Sequence, residues 1–403
     1  MKVMQVNCTY REGSTGKIMY DIHTFLKECG HTSVVCYGRG SDTKDEDVFR
    51  VCSNIYAKTQ NLRSRITGLM YGGCIYSTLK LLRVIKKEKP DIVHLHCING
   101  YFVNIYKLVT WLKKQGIKTV LTLHAEFMYT ANCGHAYECN GWINGCGKCP
   151  RRKEETLSWI FDRTADSWKK MYDSFCGFDE NLVVVSVSPW LMERAKKAPI
   201  LLNKNHMCVL NGVDTTVFCV SHISGANKKL NVKNEKSVLL VTAFFSVRPN
   251  HPKGGYYLIE LAKRNPEVRF FVAGNHEECF DLPENVELLG NVQNQSELAA
   301  LYESVDISIV LSKRETFSMP VAESLCCGTP VIGFCAGAPE QISIPDYSDF
   351  VSYGDIDSLE EIMKEYLSRS FNRNEISSKA KEIYSSITMA EEYMKIYRGL
   401  YHG

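Results

Sequence analysis

The sequence predicts an α/β protein built from two Rossmann-like, doubly wound domains, and three observations lead there. Short apolar runs of strand length alternate with helical stretches in both halves, the pattern of parallel sheets covered on both faces. A chain of 403 residues is too long for one ordinary core and suits two domains of common size. A polar stretch near the middle, Ser221–Lys236, interrupts the alternation as a linker or an adjoining loop would.

In the first half, Lys2–Val6 reads as a buried strand, followed by a helix from about Gly16 to Cys29. The strand Ser33–Tyr37 comes next, then Asp91–Leu95, a helical Val103–Gln115, and the strands Lys118–His124 and Leu182–Ser188. The second half opens with Ser237–Thr242 and a helix from Gly254, then Val268–Ala273 and Val286–Leu289. A helix near Glu297–Glu303, the strands Asp306–Leu311 and Pro330–Phe334, and a final helical run Met389–Tyr401 complete it. The domains are therefore expected at 1–218, with a cysteine-rich insertion at 125–155, and at 219–385. No internal repeat at solenoid periods and no low-complexity block is present.

Charged residues at 23% and hydrophobic residues at 45% are those of a soluble globular protein. A net charge of +3 gives no support to nucleic-acid binding. The apolar run at the N-terminus is too short for a signal peptide, and no stretch reaches the ~20 apolar residues that span a bilayer. The expected location is the cytoplasm.

The segment ETFSMPVAE (315–323) carries the most chemistry. Glu315 lies on a polar loop after the strand Asp306–Leu311, and Glu323 one turn inside a helix that Pro320 can start and Gly328 can close. Backbone N–H groups around Thr316, Phe317 and Ser318 would then face the crevice beyond the strand end, where open α/β sheets bind ligands and helix N-termini favour anions. Taken alone, two carboxylates eight residues apart are as readily a solvated loop acid and an exposed helix acid.

The pattern resembles the twin-glutamate motif of retaining glycosyltransferases with the two-domain GT-B fold, family 4 in particular. VTAFFSVRPNHPKGG (241–255) is similar to that family's first donor-domain strand and loop, with Arg248 and Lys253 spaced as its diphosphate-binding pair. FVAG (271–274), VELLG (286–290), Ser312, GAPE (337–340), SPWL (188–191) and NGVD (211–214) match in order. The resemblance implies two domains facing across a cleft, with the terminal helix 386–403 completing the first. It also implies that Glu315 contacts the donor sugar, Glu323 the nucleotide ribose, and Arg248 and Lys253 the leaving diphosphate, with no divalent metal in the transfer. Where many relatives have Gly-Phe-Gly after the first glutamate, this chain has Thr316, Phe317 and Ser318, which leaves the donor sugar open.

The first loop, YREGSTGK (10–17), lacks the early glycine and the hydroxyl after lysine of a phosphate-binding Walker loop. Gly13 and Gly16 still permit close backbone approach to a ligand, and a plain tight turn is the alternative. The resemblance implies that this loop faces the donor phosphate or the acceptor. His124 ends a strand, where ligand contact becomes more common than for a lone histidine, and family resemblance places it near the transferred sugar. Glu126 is a weak candidate base, and His94 and His96 could orient a loop.

There are 17 cysteines, an odd number that argues against a disulfide framework. Cys133, Cys139, Cys146 and Cys149 are grouped and could close a tetrahedral zinc site that stiffens the insertion, with His135 able to replace one of them. An iron–sulfur cluster, a redox pair or unligated thiols are the other uses of such a group. The basic stretch Asn61–Lys89 reads either as an amphipathic helix meeting anionic lipid or as an ordinary helix with one solvated face.

The leading expectation is a retaining glycosyltransferase acting from a nucleotide diphosphate sugar on a glycan or lipid-linked acceptor of a surface or capsular polysaccharide. A nucleotide-sugar epimerase on the same scaffold and a catalytically silent, zinc-stabilised scaffold protein are the alternatives.

Overall fold

The computed structural model describes residues 1–220, 235–278 and 281–402, so residues 221–234 of the expected linker lie outside it. The first sheet takes β1 (Lys2–Asn7), β2 (Thr32–Tyr37), β3 (Val48–Arg50), β4 (Ile92–Leu95), β5 (Lys118–Leu123), β6 (Leu182–Ser186) and β7 (Asn205–Cys208). The second takes β8 (Lys236–Phe245), β9 (Val268–His276), β10 (Val286–Gly290), β11 (Ile307–Val310), β12 (Val331–Phe334) and β13 (Ser348–Val351).

The seven strands of the first sheet run in the order β3-β2-β1-β4-β5-β6-β7, and the six of the second in the order β10-β9-β8-β11-β12-β13. Every paired strand is parallel. The strand order reverses between β1 and β4 in one sheet and between β8 and β11 in the other. Such switch points open a crevice at the carboxyl ends of the strands, because the flanking connections leave to opposite faces.

Three strands were not anticipated, and all three are short edge strands. β3 has three residues, β7 reads NHMC and is largely exposed, and β13 reads SDFV. An edge strand buries little apolar surface, so its pairing leaves almost no hydrophobic pattern to read.

The chain divides into a compact unit of Met1–Val209 with Met389 onward, and a second of Leu210–Thr388. The boundary thus falls before the expected 218. Val213 bridges to Ser385, its N–H donating to Tyr384 O at 2.8 Å, which ties this stretch into the second unit. From the last helix, Ser386–His402, the side chains of Met389, Tyr393 and Tyr397 are buried with Val3, Ile22 and Val120 in the first core. The stretch Asn61–Lys89 is not one helix. Gly68, in the left-handed region at φ 70°, caps the helix Asn54–Thr67, and a second helix occupies Ile75–Glu88. Among the described residues, no helix is long and apolar enough to cross a membrane.

Candidate active site

In the second unit the expected residues gather at the switch point. The loop after β8 carries Arg248 and Lys253, and the loop after β11 carries Glu315. Lys253 Nζ donates to Glu315 Oε1 at 2.6 Å, a partly exposed pair. Two backbone features hold the loops together. Lys313 N–H donates to Pro252 O at 2.8 Å, and Gly254, at φ 70°, lies so close to β11's end that an added Cβ would sit 2.1 Å from Leu311 O. Only glycine meets both conditions.

Glu315 is fixed through its backbone as well. Its N–H donates to Ala336 O at 3.0 Å, and its carbonyl accepts from Ala338 N–H at 3.3 Å. The Glu340 carboxylate in turn accepts from Ala336 N–H at 3.0 Å and Gly337 N–H at 2.9 Å, so the GAPE segment buttresses the Glu315 loop. Glu323 stands in the helix Met319–Cys326 with Pro320 in its first turn, and Tyr302 OH donates to its Oε2 at 3.2 Å. Burial drives the Tyr302 hydroxyl well above its usual pKa, so it stays a donor. Arg248 is 77% exposed and pairs with Glu277 at 2.8 Å, apart from the Lys253–Glu315 contact.

Three further assigned residues are constrained by their surroundings. Phe317 is buried at 3% exposure, so its ring packs within the protein and any ligand contact from it is backbone. Ser318 is the residue before the helix and holds φ 87°, a region costly for any residue but glycine. Gly16 is not in a loop, because the first helix already begins at Gly13. There it packs on the chain's own turn, where a Cβ would meet Thr9 Oγ1 at 3.1 Å, whereas Gly13 is exposed at φ 68° with open space around it.

In the first unit His124 follows β5 directly and is 9% exposed. Its Nε2 lies 3.3 Å from His96 Nδ1, while His96 Nε2 lies 3.1 Å from Gln5 Oε1. His94 is tied to Tyr397 OH at 2.6 Å and to Thr122 Oγ1 at 2.7 Å, so it anchors the C-terminal helix and orients no loop. Desolvation lowers His124 to about 4 and pushes His94 and His96 well below the usual imidazole range. These rings are neutral at pH 7.

Unfolding would restore a pKa near 6.5, so the unfolded chain takes up protons that the folded chain refuses. Stability from this cluster is complete above pH 6.5 and is lost as pH falls toward 4. For His124 alone the loss reaches about 3 kcal/mol. The melting temperature is therefore expected to drop steeply between pH 6.5 and 4.5, and a flat profile there would contradict the buried, neutral cluster.

Residues 15–217 match the model of Glycosyltransferase Family 4, and residues 227–383 match that of Glycosyl transferases group 1. The chain belongs to glycosyltransferase family 4. Over 425 aligned residues it is 20% identical to the Escherichia coli (strain K12) protein named "Putative colanic acid biosynthesis glycosyl transferase WcaC", covering 99% of this chain and 100% of that one. In fold it is similar to sucrose-phosphate synthase from Thermosynechococcus elongatus, with a TM-score of 0.67 at 14% identity, covering 100% and 99% of the two chains. It is also similar to Anabaena Alr3699/HepE in complex with UDP-glucose, with a TM-score of 0.64 at 14% identity, covering 99% and 100%.

The expected zinc site at the cysteine group of this glycosyltransferase gains no support from the geometry. Among the described residues no three His, Cys, Asp or Glu side chains are placed to hold a metal ion. Two of the sulfurs are engaged by backbone: Cys139 Sγ accepts from Gly141 N–H at 3.4 Å, and Cys146 Sγ donates to Thr130 O at 3.7 Å. Burial pushes the Cys146 thiol up to about 12 and Cys133 higher, with the neighbouring thiols of the group adding to both shifts. The insertion is instead pinned by Glu126. That carboxylate is fully buried, pairs with Arg194 at 2.7 Å and accepts from Ala136 N–H at 2.6 Å, which leaves it no role as a base. Arg194, Tyr302, Glu277 and Glu340 were all missed as partners. The GAPE match was the only signal that pointed to one of them.

Proposed function

We propose that this glycosyltransferase moves a sugar, with retention at the anomeric carbon, from a nucleoside diphosphate sugar to a glycan or lipid-linked acceptor of a surface or capsular polysaccharide. The observation that carries the reading is the Lys253–Glu315 contact at the switch point, beside Glu323 on the following helix. A cation suited to a diphosphate lies against a carboxylate suited to sugar hydroxyls, with a second carboxylate on the adjacent helix to read the ribose. As the bond between the anomeric carbon and the diphosphate breaks, Lys253 and Arg248 stabilise the charge that develops on the departing phosphate oxygens. The acceptor hydroxyl attacks from the same face and yields its proton to that phosphate, so no protein base is needed. Neutral His124 is assigned a hydrogen bond to a sugar hydroxyl, and the transfer takes place in the cytoplasm without a divalent metal. The colanic acid relative and the Anabaena protein solved with UDP-glucose support the polysaccharide context and the donor class.

The test is a panel of nucleotide sugars read by thermal stabilisation and slow hydrolysis, since a ligand that binds only the folded state raises the melting point. The true donor should give a free sugar of retained configuration. Glu323→Ala should weaken nucleotide binding by roughly fivefold to a hundredfold, the worth of one hydrogen bond to a bound hydroxyl. Unchanged affinity would remove Glu323 from the ribose, and an epimerised free nucleotide sugar as the product would replace transfer by epimerisation.

A further inference from the structure

A cavity of about 70 Å³ in the first unit is lined by Gln60 and Arg63 of the helix Asn54–Thr67, by Tyr71 and Cys74 of the segment after it, by Tyr101 of the loop that follows β4, and by Arg163. Tyr71, Cys74 and Tyr101 all hold left-handed φ, at 55°, 61° and 55°. Such strain in non-glycine residues concentrates where a protein clamps a ligand.

Hydrogen bonds hold the strained wall in place. Tyr71 OH donates to Asn132 O at 3.0 Å, and its ring lies 5.8 Å from that of Phe127, in the helical turn just after His124. Cys74 Sγ donates to Tyr101 O at 2.9 Å, and Cys74 N–H donates to Gln60 Oε1 at 3.0 Å. With that oxygen engaged, what Gln60 offers the cavity is its N–H₂ group.

The cavity is positively charged. No Asp or Glu lines it, and Arg63 has no ion pair among the described residues. Arg163 gives its Nε–H to Asp166 at 2.7 Å, which leaves the donors on its two Nη atoms, so with Asp166 counted the two arginines still outweigh the acid. Nearby acids are engaged elsewhere: Glu154 pairs with Arg151 at 3.2 Å, and Asp162 accepts from Cys149 N–H at 2.6 Å and Thr164 N–H at 3.0 Å. Burial pushes the Cys74 thiol up to about 12, against the pull of Arg63, so no thiolate balances the guanidinium.

We propose that this cavity seats one oxyanion of the acceptor, a carboxylate or a phosphoryl group, bound by Arg63 and Arg163 with donors from Gln60 and Tyr101. The proposal rests on the transferase reading, which supplies the acceptor. Guanidinium groups suit both oxyanions, and a space of this size holds a single charged group but not a pyranose ring. The ring lies outside it, at the carboxyl edge of the first sheet, where open α/β sheets bind ligands.

Calorimetric titration of the full chain, without donor, tests this with glucuronate, hexyl phosphate and the neutral methyl glucoside. At least one of the two anions should bind, more weakly as salt is added, and methyl glucoside should not. Tighter glucuronate assigns the charge to an acidic sugar of the glycan, and tighter hexyl phosphate to the phosphate of a lipid-linked acceptor. Arg63→Gln and Arg163→Gln should each lower the affinity roughly tenfold or more, the worth of a hydrogen bond to a charged group, and Arg63→Lys should lose less. Arg63 is exposed, so Arg63→Gln should melt as wild type does and stays informative even if Arg163→Gln folds poorly. No binding of either anion, equal binding by wild type and Arg63→Gln, or methyl glucoside bound as well as the anions overturns the proposal. Since no donor is present, these outcomes are separate from the nucleotide-sugar panel, whose failure would overturn transfer itself.

Discussion

Lys253→Ala is expected to lower sugar transfer by about 10²–10³-fold, the loss usual for one group that stabilises charge developing in a transition state. The same change should move the melting temperature little, because a partly exposed ion pair contributes only about 0–1 kcal/mol. The partner variant separates binding from chemistry. Lys253 is held by Glu315 at 2.6 Å, so a diphosphate must compete with that carboxylate for the ammonium. Glu315→Gln removes the competitor's charge while keeping its shape. It should bind the nucleoside diphosphate at least as tightly as wild type and still transfer sugar poorly, whereas Lys253→Ala should bind it more weakly. Calorimetric titration with the donor's nucleoside diphosphate, beside transfer rates for both variants, reads the two effects apart. If Glu315→Gln lost diphosphate affinity as Lys253→Ala does, the carboxylate would be supporting the lysine rather than competing for it.

Gly254→Ala should be the most damaging small change in the second unit. The new methyl carbon would lie 2.1 Å from Leu311 O, a backbone atom that no rotamer change can clear, at a φ of 70° that alanine tolerates poorly. Relief requires the β8 loop to move off the end of β11, which breaks the Lys313–Pro252 backbone bond and parts Lys253 from Glu315. A loss of about 3 kcal/mol or more is expected, together with donor binding. Gly290→Ala is the matched control. Its φ is 72° with nothing within 4 Å of the added carbon, so only the backbone term of about 1 kcal/mol remains. Denaturant midpoints of both variants, with nucleotide binding, measure the difference. Equal midpoints would mean that the close approach to Leu311 is not rigid.

By itself the sequence determined most of what depends on near neighbours along the chain. Ten of the strands announce themselves as short apolar runs because strands buried on both faces need apolar residues at nearly every position. Pro320 and Gly328 bracket the helix that carries Glu323, and the loop position of Glu315 follows from the strand before it. What tertiary structure decided are the pairings between distant residues. Lys253 and Glu315 are 62 positions apart, Arg194 and Glu126 are 68, and His94 and Tyr397 are 303. Strand order and register bring such pairs together, and those depend on how whole faces pack, which no local periodicity encodes. The helix Asn54–Thr67 is a further case. Packing chose the side of Ala57 and Ser64, because these are small enough to lie against the first unit's core and leave Ile55, Leu62 and Ile66 facing out.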